Sequence, residues 1–263
     1  MIDPAGPFGA GLAASAGKAG ERNPCGGALS SAPAPASASL CLMRPPPRAR
    51  PGYVWPVDLR LELSDIEAVL LDMDGTLVDS DAAVERAWTT WAAEFGVDAA
   101  AVLAIAHGSP ADSTVRKMFA DATDDAVDRA ATRQLELQYD DLTGVTALAG
   151  VEDLLAVLTR RNLPWAVVTS ADVRLAEARL GAAGIVAPLL VTVEDISAGK
   201  PDPEGFLLAA KRLGVAPERC LVVEDSEPGL AAGRAAGAVT AALKGLDGDV
   251  RLTDLGQLAE LLA

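Results

Sequence analysis

The sequence is poor in the residues that staple small folds, ligate soft metals or grip nucleic acid. Its three cysteines, Cys25, Cys41 and Cys220, are an odd number without metal-ligand spacing. They imply no disulfide framework, and a reducing cytoplasm is the expected location. One histidine, His107, stands in the whole chain. Basic residues number 22 against 37 acidic ones, a formal net charge of -15. That balance repels a phosphate backbone, so no nucleic-acid partner is expected. An anionic ligand would need a local cluster of positive charge or a metal. No uninterrupted apolar run approaches the roughly 20 residues that span a bilayer. No basic segment followed by a long apolar core marks a secretory leader. No membrane partner is expected, and the chain reads as a monomer or weak dimer.

What is present is apolar residue, half of the 263, enough for a sizeable core. Residues 1–60 differ from the rest. "SSAPAPASASL" and "MRPPPRARPG" are rich in Ala, Ser, Pro and Gly and show no periodicity. Such a segment buries too little apolar area to offset its ordering entropy, so a disordered extension is expected. From Glu67 short apolar runs recur: "AVLL", "WAVV", "PLLVTV", "CLVV" and "AVTAAL". They are rich in Val and Leu, too short for helices, and do not alternate with polar residues. That suits strands buried on both faces of a parallel sheet. Between them lie segments of helical spacing such as "GVEDLLAVLTRR" and "DPEGFLLAAKRLG". Alternation of this kind predicts an α/β fold, a doubly wound parallel sheet. Residues 80–144 break it with an all-helical stretch. They read as a small domain inserted after the first strand, between core segments 64–79 and 145–263.

Ligands of an open α/β sheet bind outside the carboxyl ends of its strands. The first strand ends in "LLDMDGTLVDS", with Asp72 and Asp74 one residue apart. The next ends in Thr169 and Ser170, the third is followed by "AGKPDPEGF" with Lys200, and the fourth ends in Glu224 and Asp225. Each has a plainer reading alone: a loop cap, a helix N-cap, a surface lysine, a second cap. They occur in order, each after its own buried strand, and together those readings lose. Carboxylates gathered at one mouth repel unless a cation joins them. Mg2+ takes one or two carboxylates, water and a phosphate oxygen. The set therefore suits a magnesium-dependent phosphoryl-transfer site. Asp72 is placed to attack phosphorus. Asp74, beyond the turn, is placed to protonate the leaving alcohol and then to deprotonate water. Gly75 allows the tight turn. Asp225 would hold the metal, and Glu224 would hold it through water.

"DMDGTLVDS", "VVTSAD", "GKPDPEGF" and "VVEDSEPGLAAGRAAG" resemble the four motifs of the haloacid dehalogenase-like hydrolase superfamily. The resemblance covers nearly everything from Asp65 onward. It implies a Rossmann-like core, a mobile helical cap and Mg2+. It implies that Asp72 is the nucleophile and Asp74 the general acid/base, its backbone carbonyl also on the metal. Thr169, with Ser170 beside it, binds phosphate, Lys200 neutralises charge, and Asp225 with Glu224 holds the metal. The dehalogenase branch lacks the second aspartate, and the phosphonate-cleaving branch has a small residue there; both are disfavoured by Asp74. A phosphatase of small phosphorylated sugars or polyols is expected, with a hexose-phosphate mutase of the β-phosphoglucomutase type as the alternative. The cap segment "AHGSPADSTVRKMF" is similar to that of the sugar phosphatases, which often carry a His-Gly where His107 and Gly108 stand. The mutases carry an arginine three residues after that glycine; Ala111 stands there here. Arg116 and Lys117 are the nearby cations able to replace it. "TSADVR" resembles a phosphatase form that would set Arg174 near the substrate, the alternative being that it faces solvent on the first turn of its helix, and Ala147 to Ala149 would help to shape the pocket.

Overall fold

The computed structural model describes residues 63, 65–106 and 109–263. The extension at 1–60 and the pair His107-Gly108 lie outside them. The central strand is β1, Ala68–Leu71, every residue of it buried. It hydrogen-bonds on one side to β4, Trp165–Val168, and on the other to β6, Cys220–Glu224. Strands β5 (Leu190–Val191), β7 (Val239–Ala242) and β8 (Val250–Arg251) complete a six-stranded parallel sheet in the order β5-β4-β1-β6-β7-β8.

The absence of polar alternation now has its cause. Val69, Leu71, Val167, Leu221 and Val223 belong to one apolar cluster, whereas Ala68, Leu70, Ala166, Val168 and Val222 belong to another. Successive side chains point to opposite faces, and both faces are covered. The first cluster is closed by helices α5 (Val151–Arg160), α6 (Val173–Ala182) and α9 (Leu255–Leu262), through Leu154, Leu158, Leu175 and Leu258. The second is closed by α7 (Glu204–Leu213) and α8 (Glu227–Ala236), through Phe206, Ala209 and Ala232. This is the doubly wound Rossmann-like architecture. The chain runs outward from β1 to β4 and β5, then returns to β6 and runs the other way. The reversal falls between β1 and β6, which makes their carboxyl ends the place for a ligand.

Between β1 and α5 the chain leaves the sheet. Two strands of two residues, β2 (Val78–Asp79) and β3 (Thr146–Ala147), pair antiparallel where it departs and returns. They were not expected from the sequence, because two residues cannot display a period. Between them lie the helices α1 (Asp81–Phe95), α2 (Ala99–Ala106), α3 (Ala111–Met118) and α4 (Asp124–Asp140). This helical cap has its own apolar core around Trp88, Trp91, Val102, Val115 and Val127. The Trp91 ring is fully buried, stacks on Phe95 and donates its indole N–H to the Ala130 carbonyl at 2.8 Å. Among the described residues no helix is long and apolar enough to cross a membrane.

Candidate active site

Asp72 is the first residue beyond β1, and its amide N–H still donates to the Val223 carbonyl at 3.0 Å. The side chain is thereby fixed at the carboxyl edge, and the residue is 7% exposed. The chain then turns sharply: the amides of Leu77 and Val78 both donate to the Met73 carbonyl at 2.9 Å. Gly75 takes φ +80°, and a Cβ there would lie 2.1 Å from Asp225 Oδ2. The turn therefore needs glycine twice, for its left-handed backbone and for its close approach to Asp225. It carries Asp74 over to the cap side of the site.

The two acids have different partners. Asp72 accepts a hydrogen bond from Lys200 Nζ, which also donates to Glu224 Oε1 at 2.6 Å and to the Val168 carbonyl at 3.1 Å. Asp74 accepts from Ser80 Oγ on one oxygen at 2.6 Å and from Arg179 Nη1 on the other at 2.8 Å. Glu224 is fully buried, and its second oxygen accepts from the amides of Asp225 and Ser226 and from Ser226 Oγ. Asp225 meets Lys244 Nζ at 2.9 Å and the Thr76 hydroxyl at 3.3 Å.

Burial pushes the Asp72 carboxyl well above the usual carboxylate range; Glu224 adds to this and Lys200 offsets part of it. Burial raises Asp225 as well, against the opposing pull of Lys244. Burial works against the charge of Lys200, but Asp72 and Glu224 outweigh it and hold its pKa above the ordinary lysine value. Two neighbouring carboxylates thus remain short of positive charge although each has a lysine. Among the described residues, Asp72, Glu224 and Asp225 bring carboxylate oxygens within 4.8 Å of one another. Such a hard-oxygen donor set, still undercompensated, fits a divalent cation.

Above this floor lies a cavity of about 460 Å³. The core lines it with Asp72, Asp74, Thr169, Ser170 and Asp225, and the cap with Trp88, Ala106, Ala111, Leu135 and Gln138. Thr169 is 4% exposed, and its hydroxyl oxygen accepts the Ala171 amide at 3.1 Å. Of the residues expected at the site, Asp72, Asp74, Thr169, Ser170, Lys200, Glu224 and Asp225 come together. His107 and Gly108 lie outside the described residues, although Ala106 and Ser109 on either side line the cavity. Arg174 is not brought in: it is exposed and lies 4.0 Å from the centroid of the Tyr139 ring. It sits on the first turn of α6, on the solvent side. Ala147 to Ala149 are likewise absent from the cavity wall.

Two cations in that wall, Arg179 and Lys244, were missed. Both left a trace in the sequence. Arg179 stands beside Leu175, Ala176 and Leu180 on the buried face of α6, where an arginine is out of place. Lys244 follows the apolar run of β7 much as Asp72 follows β1.

The profile of haloacid dehalogenase-like hydrolases matches residues 66–237. The chain is similar to hexitol phosphatase A of Escherichia coli K12, 43% identical over 64% of this chain and 78% of the relative. It is similar to 2-deoxyglucose-6-phosphate phosphatase 1 of Saccharomyces cerevisiae, 33% identical over 65% and 77% respectively. Its fold is shared by β-phosphoglucomutase of Clostridium difficile, with a TM-score of 0.67 and 21% identity over 75% of this chain and 97% of that one. The chain belongs to the haloacid dehalogenase-like hydrolases. It is an enzyme of that family, a phosphoric monoester hydrolase.

Proposed function

We propose that this enzyme hydrolyses the phosphate monoester of a small sugar or polyol, with Mg2+, through a phosphorylated Asp72. The observation that carries the reading is the unequal surroundings of the two acids. Asp72 is at the floor beside Lys200, Glu224 and Asp225, whereas Asp74 faces it from the cap side, held by Ser80 and Arg179. The metal would be held by Asp72, Asp225 and the Asp74 backbone carbonyl, with Glu224 behind them. When bound, it would neutralise charge on the transferring phosphoryl group. A carboxylate oxygen of Asp72 attacks phosphorus, and the phosphorus–oxygen bond to the sugar breaks as Asp74 gives its proton to the departing oxygen. Asp74 then takes a proton from water, whose oxygen attacks phosphorus and releases phosphate from Asp72. Lys200 and the Thr169 and Ser170 hydroxyls would hold the phosphoryl oxygens.

The substrate class rests on the named activities of the curated relatives, hexitol phosphatase A and 2-deoxyglucose-6-phosphate phosphatase 1. A cavity of about 460 Å³ with a partly apolar roof is compatible with it. We further propose residues 64–79 and 145–263 as the catalytic core, 80–144 as a cap that closes over substrate, and a cytoplasmic monomer or weak dimer. The mutase alternative draws on the fold shared with β-phosphoglucomutase. Against it, Ala111 lines the cavity where the mutases carry an arginine, and Arg116 is exposed and pairs with Asp124 at 3.0 Å. The test is product analysis with Mg2+ across hexose, pentose and polyol phosphates, including β-glucose 1-phosphate with and without a bisphosphate primer. Release of inorganic phosphate, lost in Asp72→Asn, is expected. Conversion of glucose 1-phosphate to its isomer with little free phosphate would overturn the phosphatase reading.

A further inference from the structure

Arg179 is 3% exposed, in a wall position where leucine or methionine would pack at less cost. Its three polar nitrogens have distinct fates. Nη1 donates to Asp74 Oδ2 at 2.8 Å, Nη2 donates to Gln138 Oε1 at 2.6 Å, and Nε is buried without a partner. An unsatisfied N–H on a buried cation is destabilising and calls for a reason. Each amino group gives one of its two N–H bonds to a protein group. Gln138 is in turn held, its amide Nε2 donating to Gln134 Oε1 at 2.6 Å.

The places of these partners supply the reason. Ser80 is the N-cap residue of α1, where the chain enters the cap. Gln138 is in the last turn of α4, where the cap ends. Asp74 Oδ1 is held by the first and Oδ2, through Arg179, by the second. The carboxylate is thus tied to both ends of the cap, while Arg179 itself is anchored on a core helix. We propose that Arg179 is a positioning residue that sets the carboxylate of Asp74 and links its orientation to the seating of the cap. A cap that swings away withdraws Gln138 from Arg179 and Ser80 from Asp74, and the proton donor loses its alignment.

This rests on the reading of Asp74 as the proton donor to the leaving group, and the test separates the two. The measurement is kcat/KM for substituted phenyl phosphates of graded leaving-group basicity. It reports only steps up to phosphorylation of Asp72. p-Nitrophenolate leaves without help, whereas phenolate needs a proton. Loss of an aligned acid therefore steepens the dependence, but a merely structural lesion lowers every substrate by one factor. General acid–base catalysis contributes about 10²–10⁴-fold. From that range, Arg179→Met is expected to cost phenyl phosphate at least about tenfold more than p-nitrophenyl phosphate. Arg179→Lys, which keeps a cation beside Asp74, recovers most of that excess. Gln138→Leu touches no atom of Asp74, yet is expected to steepen the slope in the same direction. It also keeps the test alive if Arg179→Met fails to fold. An unchanged slope in Arg179→Met and Gln138→Leu, with a steep one in Asp74→Asn, overturns the proposal and leaves the mechanism standing. An unchanged slope in Asp74→Asn overturns both.

Discussion

Asp72→Asn is expected to abolish turnover and, without divalent cations, to make the protein more stable. The carboxylate oxygens of Glu224 and Asp225 lie within 4.8 Å of those of Asp72. At an effective dielectric near 20, each repels Asp72 by at least about 3.5 kcal/mol. Lys200 at hydrogen-bonding distance returns about 6 kcal/mol on the same scale. The Coulomb terms nearly cancel, and the burial of the carboxylate is left uncompensated. Its raised pKa expresses the same imbalance. Asparagine keeps the shape and still accepts from Lys200 without the charge. A gain of about 1–2 kcal/mol is expected, or about 2–8 °C in Tm for a domain of this size. The sign of the pH dependence follows. A carboxyl whose folded pKa lies above its unfolded value costs stability as pH rises through that interval, so the gain should vanish in acid where Asp72 is protonated. The assay is thermal melting of both proteins in EDTA, then with Mg2+. At a hundredfold excess over Kd, a ligand of the native state adds about 2.7 kcal/mol. Wild type should gain that and the variant less, so the order narrows or reverses. If the variant melts lower than wild type in EDTA, the Lys200 pair outweighs the repulsion and the charge reasoning is wrong. If Mg2+ leaves wild type unmoved, the carboxylate cluster is no divalent site.

Gly75→Ala should spare the fold but displace Asp225, since its Cβ would fall 2.1 Å from Asp225 Oδ2 and 2.8 Å from Lys244 Nζ at φ +80°. Calorimetric titration should then show Mg2+ binding weakened at least tenfold, and unchanged affinity would refute the contact. The pair Arg86–Asp141, at 2.7 Å, ties the start of α1 to the end of α4, and its hydrogen bond holds Asp141 well below the usual carboxylate range. A depressed pKa contributes stability that is present above the unfolded value of about 3.9 and lost as pH falls. Arg86→Ala should therefore destabilise at pH 7 by an amount that shrinks steadily below about pH 4 in urea melts. A gap independent of pH would mean that the arginine acts through packing alone.

The sheet and its floor were legible because both are local in sequence. β1, β4 and β6 are short apolar runs, and Asp72, Thr169 and Asp225 stand where each run ends or just beyond it. Burial on both faces erases polar alternation, and that erasure is itself the signal. The same cue was available for Lys244 and was passed over. The cap was legible as helical but not in detail. α2 is "AAAVLAIA", apolar nearly all round, so it shows no face. Of the groups that hold Asp74, Ser80 lies in the same motif, but Arg179 and the Gln138 behind it were not legible. Arg179 is 105 residues away from Asp74, and Gln138 meets Arg179 across 41 residues. No spacing rule spans such intervals; the contacts exist only once cap and core have packed. For Arg174 the motif left two places open, near the substrate or facing solvent on the first turn of its helix, and it is exposed beside the Tyr139 ring.

Charge explains why the chemistry is concentrated at one buried floor. A net charge of -15 opposes any phosphorylated substrate at a distance. At physiological ionic strength that field decays over about 8 Å, so the approach is weakly hindered and the last ångströms decide. There the cavity wall offers Asp72, Asp74, Asp81, Asp225 and Glu227 against Arg179 and Lys244. A phosphate dianion entering this wall alone would be repelled. The cations beside it are already engaged: Lys200 with Asp72 and Glu224, Arg179 with Asp74, Lys244 with Asp225 and Asp81. Paired in this way they keep the carboxylates ordered, but they leave no net positive field. A divalent ion among Asp72, Glu224 and Asp225 would change that balance by two charges where screening is weakest. The two lysines would then be released from neutralising acids to orienting phosphate, while Arg179 stays on Asp74. On the proposed reading, the scarcity of basic residues in the sequence and a divalent ion at its first motif have one electrostatic origin.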